Sequence, residues 1–115
     1  MFRRHGPGHV EGVVEAIPLQ DGSASIVWSI ATVHHWGDID GGLREARRVL
    51  LPGGRLVAIE RQTKPGASGH ASHGWSQDQA NAFMDRCRQH GFADVRVERT
   101  TTGRRSTVSV VASAV

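Results

Sequence analysis

The stretch Ser25–Arg61, SIVWSIATVHHWGDIDGGLREARRVLLPGGRLVAIER, decides the fold. Ser25 to Val33 are β-branched, aromatic or small, and none is charged. Such a run reads as a strand buried on both faces, as in a parallel sheet. His34-His35-Trp36-Gly37 ends it. Asp38 can cap a following helix. Ile39, Leu43, Ala46 and Leu50 then recur at helical spacing, with Val49 beside them, while Arg44, Glu45, Arg47 and Arg48 take the other faces. Gly41-Gly42 weaken the first turns. Pro52-Gly53-Gly54 stops the helix and turns the chain. Arg55 to Arg61 is a second buried strand. Strand, amphipathic helix and strand make a βαβ unit, which is parallel and right-handed.

Working outward toward the C-terminus, residues 62–75 form a loop rich in Gly, Ser and His. Loops of that length are commonly functional lids or irregular segments. Ser76 and Gln79 have the spacing of a capping box, and Ala80, Phe83, Met84 and Cys87 make the apolar stripe of the helix that follows. Gly91 supplies a left-handed stop. Asp94–Arg99 alternates Val95 and Val97 with charges, as a half-exposed strand does. Thr107–Ala112 is a last apolar strand, and the short loop around Gly103 predicts an antiparallel hairpin. Toward the N-terminus, Pro18 to Ser23 is a turn and Val10 to Ile17 a short strand weakened by Gly12. Residues 1–9 read as a flexible arm, with the domain spanning 10–115. The expected fold is α/β: an open, mostly parallel sheet closed by an antiparallel C-terminal hairpin.

Composition narrows the classes of function. The 115 residues are 38% hydrophobic, and fourteen Gly bring the apolar share to about half, an ordinary globular value. No apolar run reaches the roughly 18 residues of a membrane helix. Met1-Phe2-Arg3-Arg4 is not followed by the apolar stretch of a signal peptide. A single cysteine, Cys87, excludes an internal disulfide framework and fits the cytoplasm. The net charge of +3 rests on arginine, with Lys64 the one lysine. The cations are scattered and interleaved with acids, without the dense stripe and aromatics of a nucleic-acid surface. A nucleic-acid ligand is therefore not expected.

Three segments in this order resemble the class I S-adenosylmethionine-dependent methyltransferases of the type 11 group. Glu15-Ala16-Ile17-Pro18-Leu19-Gln20-Asp21-Gly22-Ser23 is similar to the family's AE-x-LP-hydrophobic-x-DGS segment. Val33-His34-His35-Trp36 resembles its LHHW. Glu45-Ala46-Arg47-Arg48-Val49-Leu50-Leu51-Pro52-Gly53-Gly54-Arg55-Leu56 resembles its E-x-x-RVL-x-PGG-x-L. The resemblance covers residues 10–115 and implies a truncated, Rossmann-like methyltransferase sheet. It looks like the C-terminal half of the family's domain, since no G-x-G-x-G loop occurs among the 115 residues. Gly6-Pro7-Gly8 is no substitute: Pro7 lacks an N–H, and no strand is expected before it. Val13 stands where the family usually has Asp, and Ser25 where it has Asp entering the strand.

The resemblance implies S-adenosylmethionine as cofactor and a small-molecule methyl acceptor. It places Val14 and Glu15 at the adenine, Ser29 and Ile30 at the methionine part, and Trp36 against the acceptor. His34 and His35 are the candidate catalytic bases, since imidazole titrates near neutrality. Each has a plainer reading as turn or packing residues. His70 and His73 have the spacing of a metal pair but lack further ligands, so no metal is assigned. Cys87 is expected in the core. Without its usual neighbour the Ser25–Val33 strand would have a bare apolar edge, which invites a homodimer. The alternative function is a non-catalytic homodimeric or partner-binding module on the same fold.

Overall fold

The computed structural model describes residues 2–4, 9–10, 17–30, 38–63 and 74–115, with side chains from residue 17 onward except that of Ile30. The elements are β1 (Phe2–Arg4), β2 (His9–Val10), β3 (Ala24–Ile30), α1 (Ile39–Val49), β4 (Leu50–Arg61), α2 (Gln77–Gln89), β5 (Phe92–Thr102) and β6 (Arg105–Ala114). They build one sheet in the order β2-β1-β3-β4-β6-β5.

The βαβ unit forms, but α1 ends at Val49 rather than at Pro52-Gly53-Gly54, and β4 already starts at Leu50, which was expected on the helix stripe. Asp38 caps α1, its carboxylate accepting from the Gly41 N–H at 2.9 Å. Leu43, Ala46 and Val49 are buried, and Asp40 near the start and Arg47 and Arg48 near the end complement the helix dipole. β3 and β4 run parallel, pairing Val27 with Leu56 and Ser29 with Ala58. The register slips between Ala24 and Ile26, because Pro52-Gly53-Gly54 bulges out of β4. Gly53 takes a φ of 82°, and a Cβ on Gly54 would lie 2.9 Å from the Leu51 carbonyl oxygen. Both positions therefore need glycine.

Among the described strands this pair alone is parallel, apart from an isolated parallel bridge between Gln62 and Trp75. β4 pairs with β6 and β6 with β5, both antiparallel, so β6 sits between β4 and β5. The sheet is mixed rather than mostly parallel, because the C-terminal hairpin inserts its second strand beside β4. The hairpin turns at Gly103, whose φ is 61°, with Thr102 opposite Arg105. In β5, Asp94 takes a φ of 50° and the register slips between Ala93 and Arg96. That bulge lets Phe92, Val95 and Val97 all reach the core, although their spacing is three and then two.

Both helices contribute to one core, with Leu43, Ala46 and Val49 of α1 and Ala80, Phe83 and Cys87 of α2 meeting Val27, Leu56, Ala58, Val110 and Ala112 of the sheet. Asp40 joins the helices, accepting from Arg86 at 2.6 Å and facing His90 Nε2 at 2.9 Å. These contacts hold its carboxyl below the ordinary value, His90 contributing most. The Ser76–Gln79 capping box is complete.

The stretch expected as a loose arm contributes backbone to the sheet. Phe2 and Arg3 pair antiparallel with Val27 and Ile26, and Phe2 also pairs with Val10. The β3 edge expected to be bare is thus covered in cis from Ala24 to Val27. A strand does precede Gly6-Pro7-Gly8. That strand, β1, pairs antiparallel with β2, and Gly6-Pro7-Gly8 themselves lie outside the described residues.

Candidate functional site

In open α/β sheets, ligands bind at the carboxyl ends of the parallel strands. Here that end is formed by Ser29 and Ile30 of β3 beside Ala58–Arg61 of β4. Ser29 is buried and lies on the helix-facing side with Val27. Ile30 is the last residue of β3, its backbone opposite Ile59. Val14, Glu15, His34, His35, Trp36, His70 and His73 lie outside the described residues.

Glu60 is a feature the sequence reading passed over. It ends the inward series Leu56, Ala58, Glu60 and is 1% exposed, with its polar group partnered. The signal was present: strict alternation from Leu56 points residue 60 to the core, and an acid there needs an explanation.

The end of β4 is tied to the start of α2. Trp75 N–H donates to the Arg61 carbonyl at 2.8 Å, and Thr63 N–H to the Trp75 carbonyl at 2.7 Å. A Cβ on Gly74 would fall 2.1 Å from the Arg61 carbonyl oxygen, so glycine is needed where the chain crosses β4. Trp75 is buried against Phe83, with ring centroids 4.8 Å apart. The two ends of the expected 62–75 loop are therefore fixed.

At the opposite, amino end of β3 and β4, where Leu50 pairs with Ala24, Arg48 organises the chain that enters β3. Its Nη1 donates to the Leu19 carbonyl and to Asp21 Oδ1, both at 2.8 Å. Its Nη2 donates to the Ile17 carbonyl at 2.9 Å. Nε and Nη2 fork onto the Glu45 carboxylate at 2.5 and 3.2 Å. Glu45 in turn accepts from the Ile17 N–H at 3.1 Å, and the Gly22 N–H donates to the Arg48 carbonyl at 2.9 Å. The Arg48 bond holds the Glu45 carboxyl below its ordinary value, and the acids raise the Arg48 guanidinium further. Glu45 and Arg48 were expected to pair locally. They also clamp the backbone of the Ile17–Gly22 turn, which joins the first and third of the sequence segments quoted above. Nothing local in either segment announces that contact.

Cys87 is fully buried on the core stripe of α2, and burial pushes its thiol up to about 12. It is a packing residue, not a nucleophile. No group of three or more metal-ligating side chains occurs among the described residues.

Residues 2–58 match the family described as "Methyltransferase domain". An uncharacterized protein, YafE, of Escherichia coli (strain K12) is 42% identical over 50 residues, covering 44% of this chain and 24% of its own. The 27-O-demethylrifamycin SV methyltransferase of Amycolatopsis mediterranei (strain S699) is 38% identical over 53 residues, 46% of this chain and 20% of its own. Among solved structures, a SAM-dependent methyltransferase of Thermotoga maritima, a possible histamine N-methyltransferase, superposes with a TM-score of 0.69 at 19% identity. That match covers 92% of this chain and 63% of the other. The matched stretches are thus about a quarter or less of these curated relatives and under two thirds of the solved chain.

Proposed function

We propose, for a chain that belongs over residues 2–58 to the methyltransferase domain family, that it supplies the β3–β4 part of a methyltransferase site acting on a small-molecule acceptor in the cytoplasm. S-adenosylmethionine is the family's cofactor and, when bound, supplies an activated methyl group. The parallel β3–β4 pair carries the reading, since it sets Ser29 and Ile30 at the carboxyl end where this sheet type takes ligands. The described residues fit one wall of such a site. Ser29 sets a buried, partnered side chain on β3 at that end, and the Arg48–Glu45 clamp, at the amino end of the strands, holds the Ile17–Gly22 turn that leads into β3. On this reading Val14 and Glu15 border the adenine, and Ser29 and Ile30 flank the methionine part. Trp36 faces the acceptor, and His34 or His35 takes its proton. Methyl transfer demands mainly alignment of nucleophile and methyl carbon, so these residues act by positioning and by excluding water.

The 115 residues contain no G-x-G-x-G loop for the other wall. Isothermal titration of the isolated chain with S-adenosylhomocysteine should therefore give weak binding, lost altogether in Ser29→Leu. A micromolar dissociation constant unchanged by that variant refutes the placement.

A second reading, a non-catalytic homodimeric or partner-binding module, is favoured by the sheet's other face. Ile26, Val57 and Ile59 lie there, opposite the helix layer, and no described helix covers them. Sedimentation at about twice the monomer mass, abolished by Val57→Lys, supports the homodimer; a monomer at high concentration refutes the homodimer.

A further inference from the structure

The arginines of the two helices are engaged. Arg44 pairs with Asp38, Arg48 with Glu45 and Asp21, Arg86 with Asp40, and Arg88 with Asp85. Arg47 donates to the Val115 carbonyl. At the far end of the β4–β6–β5 ribbon the pattern reverses. Arg61, Arg99, Arg104 and Arg105 have no acidic partner among the described residues. The acids closest along these strands are already committed: Glu98 pairs with Arg96 at 3.2 Å, and Glu60 is buried and partnered.

Two of these cations share a hollow. Arg61, Gln62, Thr63, Arg104 and Ser106 line a space of about 330 Å³ between the end of β4 and the hairpin turn. Its shape is fixed by backbone bonds, Gln62 N–H to the Ser106 carbonyl at 2.9 Å and Thr63 N–H to the Trp75 carbonyl. Among the described residues the lining offers two guanidinium forks, two hydroxyls and an amide, and no carboxylate; the Ser106 hydroxyl also shares a hydrogen bond with Thr101 Oγ1 at 3.1 Å. Guanidinium forks match the spacing of phosphate oxygens, and hydroxyl donors can take the remaining ones.

We propose that this hollow is a binding site for the phosphate group of a small phosphorylated molecule, held between Arg61 and Arg104 with Thr63 and Ser106 as supporting donors. A tetrahedral anion presents three oxygens to donors arriving from two strands. A planar carboxylate presents two and leaves one strand's donors unused. The site lies at the carboxyl end of β4, the end of the sheet at which β3 also finishes, yet it needs no cofactor to form.

The test is a titration of the full chain, labelled with nitrogen-15, with phenyl phosphate at constant ionic strength and without S-adenosylmethionine. The expected result is saturable shifts at Gln62, Thr63, Arg104 and Ser106. Arg61→Gln and Arg104→Gln should each weaken binding about tenfold, the loss of one charge-assisted hydrogen bond. Arg88→Gln should leave it unchanged, and all three variants are surface changes whose spectra report folding directly. Shifts that never saturate, or that weaken equally in Arg88→Gln, overturn the site. Acetate binding as tightly as phenyl phosphate overturns the phosphate assignment. Tighter binding of an oligouridylate, with shifts spreading over Arg99 and Arg105, replaces the small ligand with a nucleic acid. None of these outcomes bears on S-adenosylhomocysteine binding, which is measured separately.

Discussion

Replacing Arg48 with Met tests the clamp between α1 and the Ile17–Gly22 turn. The substitution keeps most of the side-chain volume and removes every donor. Asp21 is 82% exposed, so its share is screened by water and adds little. The fork onto Glu45 and the bonds to the Ile17 and Leu19 carbonyls remain. The Arg48 side chain is 33% exposed and that of Glu45 21%. Hydrogen bonds to charged groups contribute about 1.5–3 kcal/mol when buried, and bonds sharing one side chain do not add. The loss should therefore be about 2–3 kcal/mol, read as a fall in urea midpoint at constant slope. Arg48→Lys, a point charge in place of a fork, should recover less than half. Acidification supplies an independent arm. The Glu45 carboxyl lies below its ordinary 4.5 in the folded chain. The stability it contributes is full above 4.5 and is lost as pH falls through the lower, folded value. The gap between wild type and Arg48→Met should therefore narrow in acid. A loss under ~0.5 kcal/mol, the range of an ordinary surface change, would refute the clamp.

Further outcomes follow from other contacts. Gly54→Ala sets a Cβ 2.9 Å from the Leu51 carbonyl oxygen and 3.2 Å from that of Ser25, and should cost ~1–3 kcal/mol in chemical denaturation. Cys87, buried with its thiol raised to about 12, should resist a disulfide reagent at pH 8 and react fully only in denaturant; prompt reaction in the folded chain contradicts its burial. Carbon-detected titration should find Asp40 below its ordinary 3.8, moving back toward it most in His90→Gln and less in Arg86→Gln. The stability from this link is present above 3.8 and lost as pH falls through the depressed value.

What the sequence determines by itself is local. The uncharged run of β3, the Asp38 cap, the α1 stripe as far as Val49, the Ser76–Gln79 box and the left-handed stop at Gly91 are short-range physics, and each stands where residue type and spacing put it; Leu50, read as the end of that stripe, belongs to β4. The family resemblance is legible for the same reason, since its segments are contiguous. Four features belong to the tertiary structure alone. β6 lies between β4 and β5, which leaves a single parallel pair, because hairpin insertion is chosen by which strand buries more apolar area and Val108, Val110 and Ala112 outdo the charged β5. Phe2–Arg4 covers β3, although nothing in three residues announces a strand; the pairing comes from the open backbone groups of its neighbour. Arg48 reaches carbonyls 29 and 31 residues away. Arg61 and Arg104 share one hollow only because antiparallel β4 and β6 bring the end of one strand to the start of the other. Hydrogen-bond acceptors and charge partners distant in sequence carry no local periodicity, so only the folded chain sets them side by side.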